Sequence, residues 1–271
     1  MGQFERDTAV KRLSDGRWEA EFQRGWRIGS TMNGGYVLAV VARALREALP
    51  HRDPLSINAF YLAPCRLGAC QIDTETLREG RGTSFGSASL FQEGELKVRA
   101  TAAYTDTDRL GGENWMAGSP PSAPAFSETE GMSASHLEIH QRVDIRLVGN
   151  SEVFEKGTAT GSGEFVGWLQ HRDGAASDTI DLTMFADIMP PPPFTLFGPF
   201  GWVPTIELTV QCRGRPAPGP ILGRMRSRHL TNSIVESDAD LWDSNGELVA
   251  LARQTMKVRL PDGWETRPPA P

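Results

Sequence analysis

Apolar and polar residues alternate along most of this chain, in short runs that turn residues separate. Alternation with a period of two is typical of β-strands that bury one face. Such runs predict strands at 18–29 (one or two short ones), 55–63, 67–78, 82–92, 95–105, 136–148, 163–172, 204–212, 220–230, 233–243 and 247–259.

Two segments break the alternation and predict helices. After Asn33, the sequence GGYVLAVVARALREALP is apolar on nearly every side, which predicts a buried helix at about 34–49. SDTIDLTMFADIM predicts a second helix at 178–188, with Ser177 or Asp178 as its N-cap. The four prolines that follow cannot continue this helix, because proline lacks the amide donor and clashes with the preceding turn.

The order of elements is repeated, since each half reads strand, helix and four strands. GELKVRATAAYTD (94–106) and GELVALARQTMKVR (246–259) open alike, with Ala102 in the first where the second has Gln254. A helix on one face of an antiparallel sheet is a stable two-layer arrangement, and two copies joined edge to edge remove an exposed edge. The pattern therefore predicts an α+β protein, a tandem double hot-dog in which two long helices each pack on a shared antiparallel sheet.

The composition changes between the two halves. The stretch after residue 106 is rich in Gly, Pro, Ser and acidic residues and lacks periodicity, which is typical of a linker. We therefore predict an N-terminal hot-dog at 1–106, a linker at 107–134, a C-terminal hot-dog at 135–260 and a loose tail at 261–271.

Charge and cysteine content exclude several classes of protein. The net charge of −6 gives no support to nucleic-acid binding or to an anionic membrane surface. No apolar run approaches the ~18 residues that span a bilayer, and the N-terminus has no apolar signal region. Cys65, Cys70 and Cys212 are an odd number without CxxC spacing, so we expect reduced, buried thiols in a cytoplasmic protein.

Several motifs in the two halves occur in the order found in a known family. The first half has a glycine pair opening its helix, then FYLAP and ETLREGR; the second has FADIMPPP, PTIELTV and GELVALARQ. Together these segments resemble the acyl-CoA thioesterase II family over roughly 30–260. The resemblance implies hydrolysis of a fatty acyl-CoA to the free acid and CoA, at a site where an Asp, a Thr and a Gln hold the attacking water.

Carried over by motif, these three residues are Asp187, Thr205 and Gln254. The chemistry agrees, because a thioester carbonyl is already electrophilic and needs only an activated water and a donor for the developing oxyanion. Asp187 is the expected proton acceptor, and the other two side chains orient the water. Glu207 stands where the family pattern commonly has Asp, and the proline-rich loop at 189–203 is shorter than the pattern.

The start of the first helix is the predicted oxyanion and substrate-binding element. Asn33, Gly34 and Gly35 would present backbone N–H groups to an approaching oxygen, and glycine allows a close approach. We expect no cofactor and no metal, because His136 and His140 lie four apart in a strand-like segment, too far apart to share an ion.

Other functions remain open alternatives. A non-catalytic acyl-CoA-binding protein would keep an apolar tunnel and lose the polar trio, and a hot-dog hydratase would need a histidine near a helix start. No GxSxG motif occurs, which disfavours a serine hydrolase. By analogy with paired hot-dogs we also expect a homodimer or higher homo-oligomer.

Overall fold

A computed structural model of the protein describes residues 1–132 and 137–264. Its helices are α1 (Gln3–Asp7), α2 (Gly34–Ala48), α3 (Glu152–Glu155), α4 (Thr179–Phe185) and α5 (Pro193–Phe197). Its strands are β1 (Lys11–Ser14), β2 (Arg17–Phe22), β3 (Arg27–Ile28), β4 (Thr31–Met32), β5 (Asp53–Tyr61), β6 (Gly68–Glu79), β7 (Ser84–Gln92), β8 (Glu95–Thr105), β9 (Val143–Val148), β10 (Glu164–His171), β11 (Thr205–Cys212), β12 (Ile221–Arg226), β13 (Leu230–Thr231), β14 (Ile234–Trp242) and β15 (Leu248–Lys257).

One antiparallel sheet of 13 strands runs through both halves in the order β1-β2-β6-β7-β8-β5-β11-β15-β14-β12-β10-β9, with β13 paired to β14. The halves meet where β5 pairs with β11, and each half repeats the same strand order outward from that junction. The predicted tandem double hot-dog is therefore confirmed. Strands β3 and β4 form a separate two-stranded ribbon.

Helix α2 lies under the first half of the sheet, close to its predicted bounds. Its residues from Gly35 through Ala42 are buried, as expected for a helix that is apolar on nearly every side. The side chain of Asn33 caps the helix, because its Oδ1 accepts the N–H of Tyr36 at 2.9 Å. Helices α2 and α4 pack against each other on the same face of the sheet.

Helix α4 is shorter than predicted, and the expectation of a second long helix is wrong. Asp178 is its N-cap and accepts the N–H groups of Ile180 and Asp181. The helix ends at Phe185, before the prolines, because its last turn tightens: the N–H of Asp187 donates to Met184 at 3.0 Å. The carboxylate of Asp187 is thereby turned out of the helix.

The strand prediction at 136–148 is wrong at its start. Residues Glu138–Gln141 form a 3₁₀ helix, and β9 begins only at Val143. Ile139 and His140 are neighbours and both buried, which a turn allows and an alternating strand does not. His136 lies outside the described residues. The predicted strand at 220–230 also divides, into β12 and β13.

The linker crosses from the middle of the sheet to its far edge. It leaves β8 and must pass the whole second half before it enters β9, which explains its length. The ring of Phe126 packs under the guanidinium of Arg146 at 3.8 Å, and Trp168 Nε1 donates to Pro124 O at 2.9 Å. Within residues 1–132 and 137–264, no helix is long and apolar enough to cross a membrane.

Candidate active site

A cavity of about 570 Å³ opens at the junction of the two halves. Both halves contribute to it, together with the segment between α4 and β11. Its wall is mostly apolar, and the apolar side chains that line it include Ile28, Met32, Val37, Leu62, Met132, Leu137, Phe154, Ile188, Met189, Phe194, Trp202, Val203, Ile206 and Met256. Five of the six residues predicted for the site also line it: Asn33, Gly34, Asp187, Thr205 and Gln254. Gly35 does not line the cavity and lies behind the carboxylate of Asp187.

Asp187 is held against the start of helix α2. The N–H of Gly35 donates to its Oδ2 at 2.8 Å. The amide of Asn33 donates to the Asp187 main-chain oxygen at 3.0 Å and to Oδ2 at 3.3 Å. Asn33 therefore caps its own helix with one side-chain atom and fixes the opposing carboxylate with the other. A carboxylate from the second half thus occupies the helix start supplied by the first half.

Gln254 and Thr205 lie on neighbouring strands next to this carboxylate. The hydroxyl of Thr205 donates to Gln254 Oε1 at 2.8 Å, and Gln254 is buried, with 2% of its surface exposed. Since the amide oxygen is engaged by Thr205, the amide N–H groups are directed elsewhere. Gln254 interacts with the Asp187 carboxylate and favours its charged form. The structure thus brings the three predicted side chains together.

Close packing explains the two glycines that open helix α2. A β-carbon on Gly35 would lie 2.7 Å from the main-chain oxygen of Met184 and 3.0 Å from Cβ of Asp187. A β-carbon on Gly34 would lie 2.9 Å from Asp187 Oδ2. Glycine is required here because α4 and its carboxylate approach the backbone directly.

The environment of Asp187 raises its pKa to about 6. Burial is the main cause, because it disfavours the charged form. The Gly35 N–H, Gln254 and Asn33 act in the opposite direction by favouring the carboxylate. A carboxyl group with a pKa near neutrality can accept a proton and give it back within one reaction cycle.

The structure also accounts for the difference between Gln254 and Ala102. Gln254 is paired with Leu208 across β15 and β11, and Ala102 is paired with Ile57 across β8 and β5. Leu208 and Ile57 are both buried beneath the helices. Gln254 and Ala102, which are paired with them, therefore each face the helix layer of their own half.

The start of α4, which corresponds to the start of α2, is occupied by side chains of the first half. Arg46 donates to Asp178 at 2.6 Å and to the Thr179 hydroxyl at 3.0 Å. That hydroxyl donates to Asp53 at 2.7 Å. Internal hydrogen bonds thus satisfy the start of α4. Ala102, on β8 of the first half, offers no side-chain amide at the position that corresponds to Gln254.

Sequence reasoning missed several residues that line the cavity. Tyr61 ends β5 and donates its hydroxyl to Gly34 O at 2.8 Å. His140 also lines the wall, and burial and the charge of Arg172 lower its pKa. Lys257 and Arg259, both exposed, contribute positive charge to the lining. The FYLAP motif marked the position of Tyr61, but alternation at the end of a strand does not indicate where a side chain points.

Glu207, the departure from the family pattern, lies outside this cavity lining. Its carboxylate accepts Asn58 Nδ2 at 2.5 Å and the Thr209 hydroxyl at 2.6 Å. All three residues lie on the junction strands β5 and β11, and none of them lines the cavity. The presence of Glu instead of Asp at position 207 therefore leaves the cavity lining unchanged.

The two halves of the chain match the two domains of one known family, in the same order. Two family descriptions match the chain in tandem: "Acyl-CoA thioesterase N-terminal domain" over residues 22–105 and "Acyl-CoA thioesterase C-terminal domain" over residues 118–258. These matches cover most of the chain, so the protein belongs to the acyl-CoA thioesterase family and is a thioester hydrolase.

Solved structures share this fold, and one sequence relative is similar along most of the chain. A proposed thioesterase II from Thermobifida fusca is 28% identical and superposes with a TM-score of 0.88, over 96% of this chain and 98% of that one. An acyl-CoA thioesterase II from Mycobacterium marinum has the same fold at 18% identity, with a TM-score of 0.73 over 96% of this chain and 100% of its own. The uncharacterized protein Rv0499 of Mycobacterium tuberculosis is 24% identical, over 89% of this chain and 90% of its own.

Proposed function

We propose that this thioester hydrolase cleaves acyl-CoA to the free acid and CoA, with Asp187 as the general base and Gln254 and Thr205 as the groups that orient water. The observation that carries the proposal is the meeting of Asp187, Gln254 and the start of α2 in one apolar cavity at the junction. The apolar wall suits an acyl chain, and the few polar side chains of the site lie together at one place in that wall.

The reaction would proceed by direct attack of water. As the water oxygen bonds to the thioester carbon, Asp187 takes a proton from that water. The tetrahedral intermediate then collapses, the carbon–sulfur bond breaks, and the proton on Asp187 passes to the departing CoA sulfur. Asp187 returns to its carboxylate form after each cycle, so no external reactant besides water is needed.

Two kinds of donor are available to the developing oxyanion. One is the amide of Gln254, whose oxygen is already engaged by Thr205. The other is the N–H of Gly34, for which no acceptor is found among the residues that the structure describes. The Gly35 N–H, which the sequence prediction also assigned to substrate, is used by Asp187 instead. Donors fixed before the reaction stabilise charge without reorganisation.

The charges of the lining favour a CoA ester over a neutral thioester. Lys257 ends β15, the strand that carries Gln254, Arg259 lies two residues beyond it, and both are exposed. Phosphate groups of CoA would meet these cations while the acyl chain enters the apolar wall. We further propose that the protein works in the cytoplasm, because its three cysteines are free and buried, as in a reducing compartment.

A panel of acyl-CoA thioesters of increasing chain length, with detection of the free thiol, tests this proposal. We expect CoA release that depends on chain length and that requires Asp187. Saturable binding of acyl-CoA without thiol release would instead support the non-catalytic acyl-CoA-binding alternative.

A further inference from the structure

Tyr61 contacts the start of helix α2 beside Asp187. It is the last residue of β5, the strand at the junction, and its hydroxyl donates to the main-chain oxygen of Gly34 at 2.8 Å. A β-carbon on Gly34 would lie 3.4 Å from Cζ of the tyrosine ring. The ring therefore packs directly against the backbone that holds the carboxylate.

The oxygen of Gly34 and the N–H of Gly35 belong to the same peptide group. Tyr61 donates to one end of this group, and the other end donates to Asp187 Oδ2 at 2.8 Å. We propose that Tyr61 is a positioning residue for Asp187: through the Gly34–Gly35 peptide it strengthens the hydrogen bond that keeps the carboxylate ionised. The inference rests on the proposed function, in which that carboxylate is the general base.

Polarisation of the peptide explains how the effect is transmitted. A hydrogen bond accepted by a carbonyl oxygen draws electron density from the amide nitrogen, so the N–H at the other end becomes a better donor. The cavity wall is mostly apolar and both hydrogen bonds are half-buried, and a lowered local dielectric strengthens such chains. Tyr61 also fixes the plane of the peptide, so that the N–H points at the carboxylate.

The groups that hydrogen-bond Asp187 are neutral, so the strength of each of these hydrogen bonds affects its protonation. Helix α2 presents Asn33 and the Gly35 N–H, and β15 presents Gln254, none of which carries a charge. Burial raises the pKa of Tyr61 well above its usual value, so its hydroxyl remains a donor at neutral pH. The other titratable groups that line the cavity or act on Tyr61 are His140, Lys257, Arg259, Cys65 and Glu207.

Tyr104 on β8 provides a matched control, because it also donates to helix α2. Its hydroxyl donates to the main-chain oxygen of Ala42 at 2.7 Å, and its side chain is buried. Tyr104→Phe and Tyr61→Phe each remove one tyrosine hydrogen bond to a carbonyl of α2. Only Tyr61→Phe removes a bond to the peptide that contacts Asp187.

The experiment is an NMR titration of protein labelled with ¹³C at the aspartate carboxyl groups. The Asp187 resonance is assigned by its loss in Asp187→Asn. We expect Tyr61→Phe to raise the titration midpoint of Asp187 by about 0.2–0.6 of a pH unit, because cooperative strengthening amounts to roughly 10–30% of a bond to a charged group. Tyr104→Phe should leave the midpoint unchanged, and the acid limb of kcat/KM should move with the NMR midpoint.

An unchanged midpoint in Tyr61→Phe, or an equal rise in Tyr104→Phe, would overturn the inference. The NMR readout does not depend on activity, so it separates this inference from the proposed function. If wild-type protein releases no CoA from any acyl-CoA while the midpoint still rises in Tyr61→Phe, the proposed substrate is wrong and the positioning role of Tyr61 stands.

Discussion

Asp187 and Gln254 contact the same part of the cavity but differ in what each can do to a water molecule. A carboxylate can take a proton from water, whereas an amide can only accept and donate hydrogen bonds. Thr205 is one step further away, since its hydroxyl donates to Gln254. The three residues therefore rank in their expected effect on the rate, with Asp187 first.

Gln254→Ala should lower kcat by roughly 10²-fold, the lower end of the range for losing one oxyanion donor, and by less than Asp187→Asn, because the proton acceptor stays in place. Steady-state kinetics on one acyl-CoA, with circular dichroism to check the fold, measure this. Adding Ala102→Gln should not restore activity to the Gln254→Ala variant. Position 102 lies on β8 of the first half, whereas Asp187 interacts with position 254. A larger loss in Gln254→Ala than in Asp187→Asn would contradict the ranking.

The raised pKa of Asp187 also predicts a pH-dependent stability. The pKa is about 6 in the folded protein against 3.8 ordinarily, so the carboxyl group favours folding most below pH 4. As the pH rises from about 4 to about 6, the Asp187 carboxyl group ionises in the unfolded chain before it ionises in the folded protein. The free energy of unfolding therefore falls over this range. The full loss at pH 8 is on the order of 2–3 kcal/mol, from about 1.4 kcal/mol per unit of pKa shift.

Asp187→Asn should remove this pH dependence. Urea unfolding of both proteins at pH 4 and pH 8 measures it, and the variant should gain stability relative to wild type as the pH rises. If the two proteins differ in free energy of unfolding by the same amount at pH 4 and pH 8, the carboxyl group of Asp187 does not have a raised pKa.

The contact between helices α2 and α4 sets the geometry of the site. Alanine favours a helix over glycine by about 1 kcal/mol in general, but at Gly35 the new methyl group would lie 2.7 Å from the Met184 main-chain oxygen. A backbone atom cannot move aside as a side chain can. Steric overlap should therefore outweigh helix propensity.

Gly35→Ala should thus destabilise the protein by roughly 1–3 kcal/mol, the usual cost of overpacking, and should also reduce kcat. Gly34→Ala is the comparison, because its methyl group would meet the Asp187 carboxylate oxygen at 2.9 Å. We expect Gly34→Ala to reduce kcat with a smaller change in unfolding free energy. Equal stability of Gly35→Ala and wild type in urea would refute this view of the helix contact.

Helices and strands were predictable from sequence to different degrees. Helix α2 was predictable because its apolar residues run on every side and Asn33 caps it. The end of α4 at Phe185 was not, because its last turn tightens before the prolines, a change of hydrogen bonding that the apolar pattern does not show. Asp187 and Gln254 were found through family motifs, whereas the contacts of Tyr61 and His140 depend on how the halves meet.

Helices α2 and α4 pack on one face of the 13-stranded sheet, and the other face bears exposed apolar side chains. Phe60 on β5 and Phe85 on β7 are 49% and 41% exposed, and both point away from the helix layer. The two side chains lie two strands apart on an outer sheet surface, the kind of surface through which paired hot-dogs associate. We therefore propose that the protein forms a homodimer or a higher homo-oligomer through this face.

Light scattering should give a multiple of the chain mass of 29.7 kDa. The double variant Phe60→Ser, Phe85→Ser should shift the mass toward one chain without unfolding the protein. A wild-type mass of one chain at working concentration would refute the proposal.

The proposed mechanism requires that the two halves together form one thioesterase site in which Asp187 activates water. The most direct test is the kcat of Asp187→Asn on a good acyl-CoA substrate, measured by thiol release and with circular dichroism as the control for folding. We predict a loss of roughly 10²–10⁴-fold, the range expected when a general base is removed. A folded Asp187→Asn protein with the wild-type kcat would contradict the account.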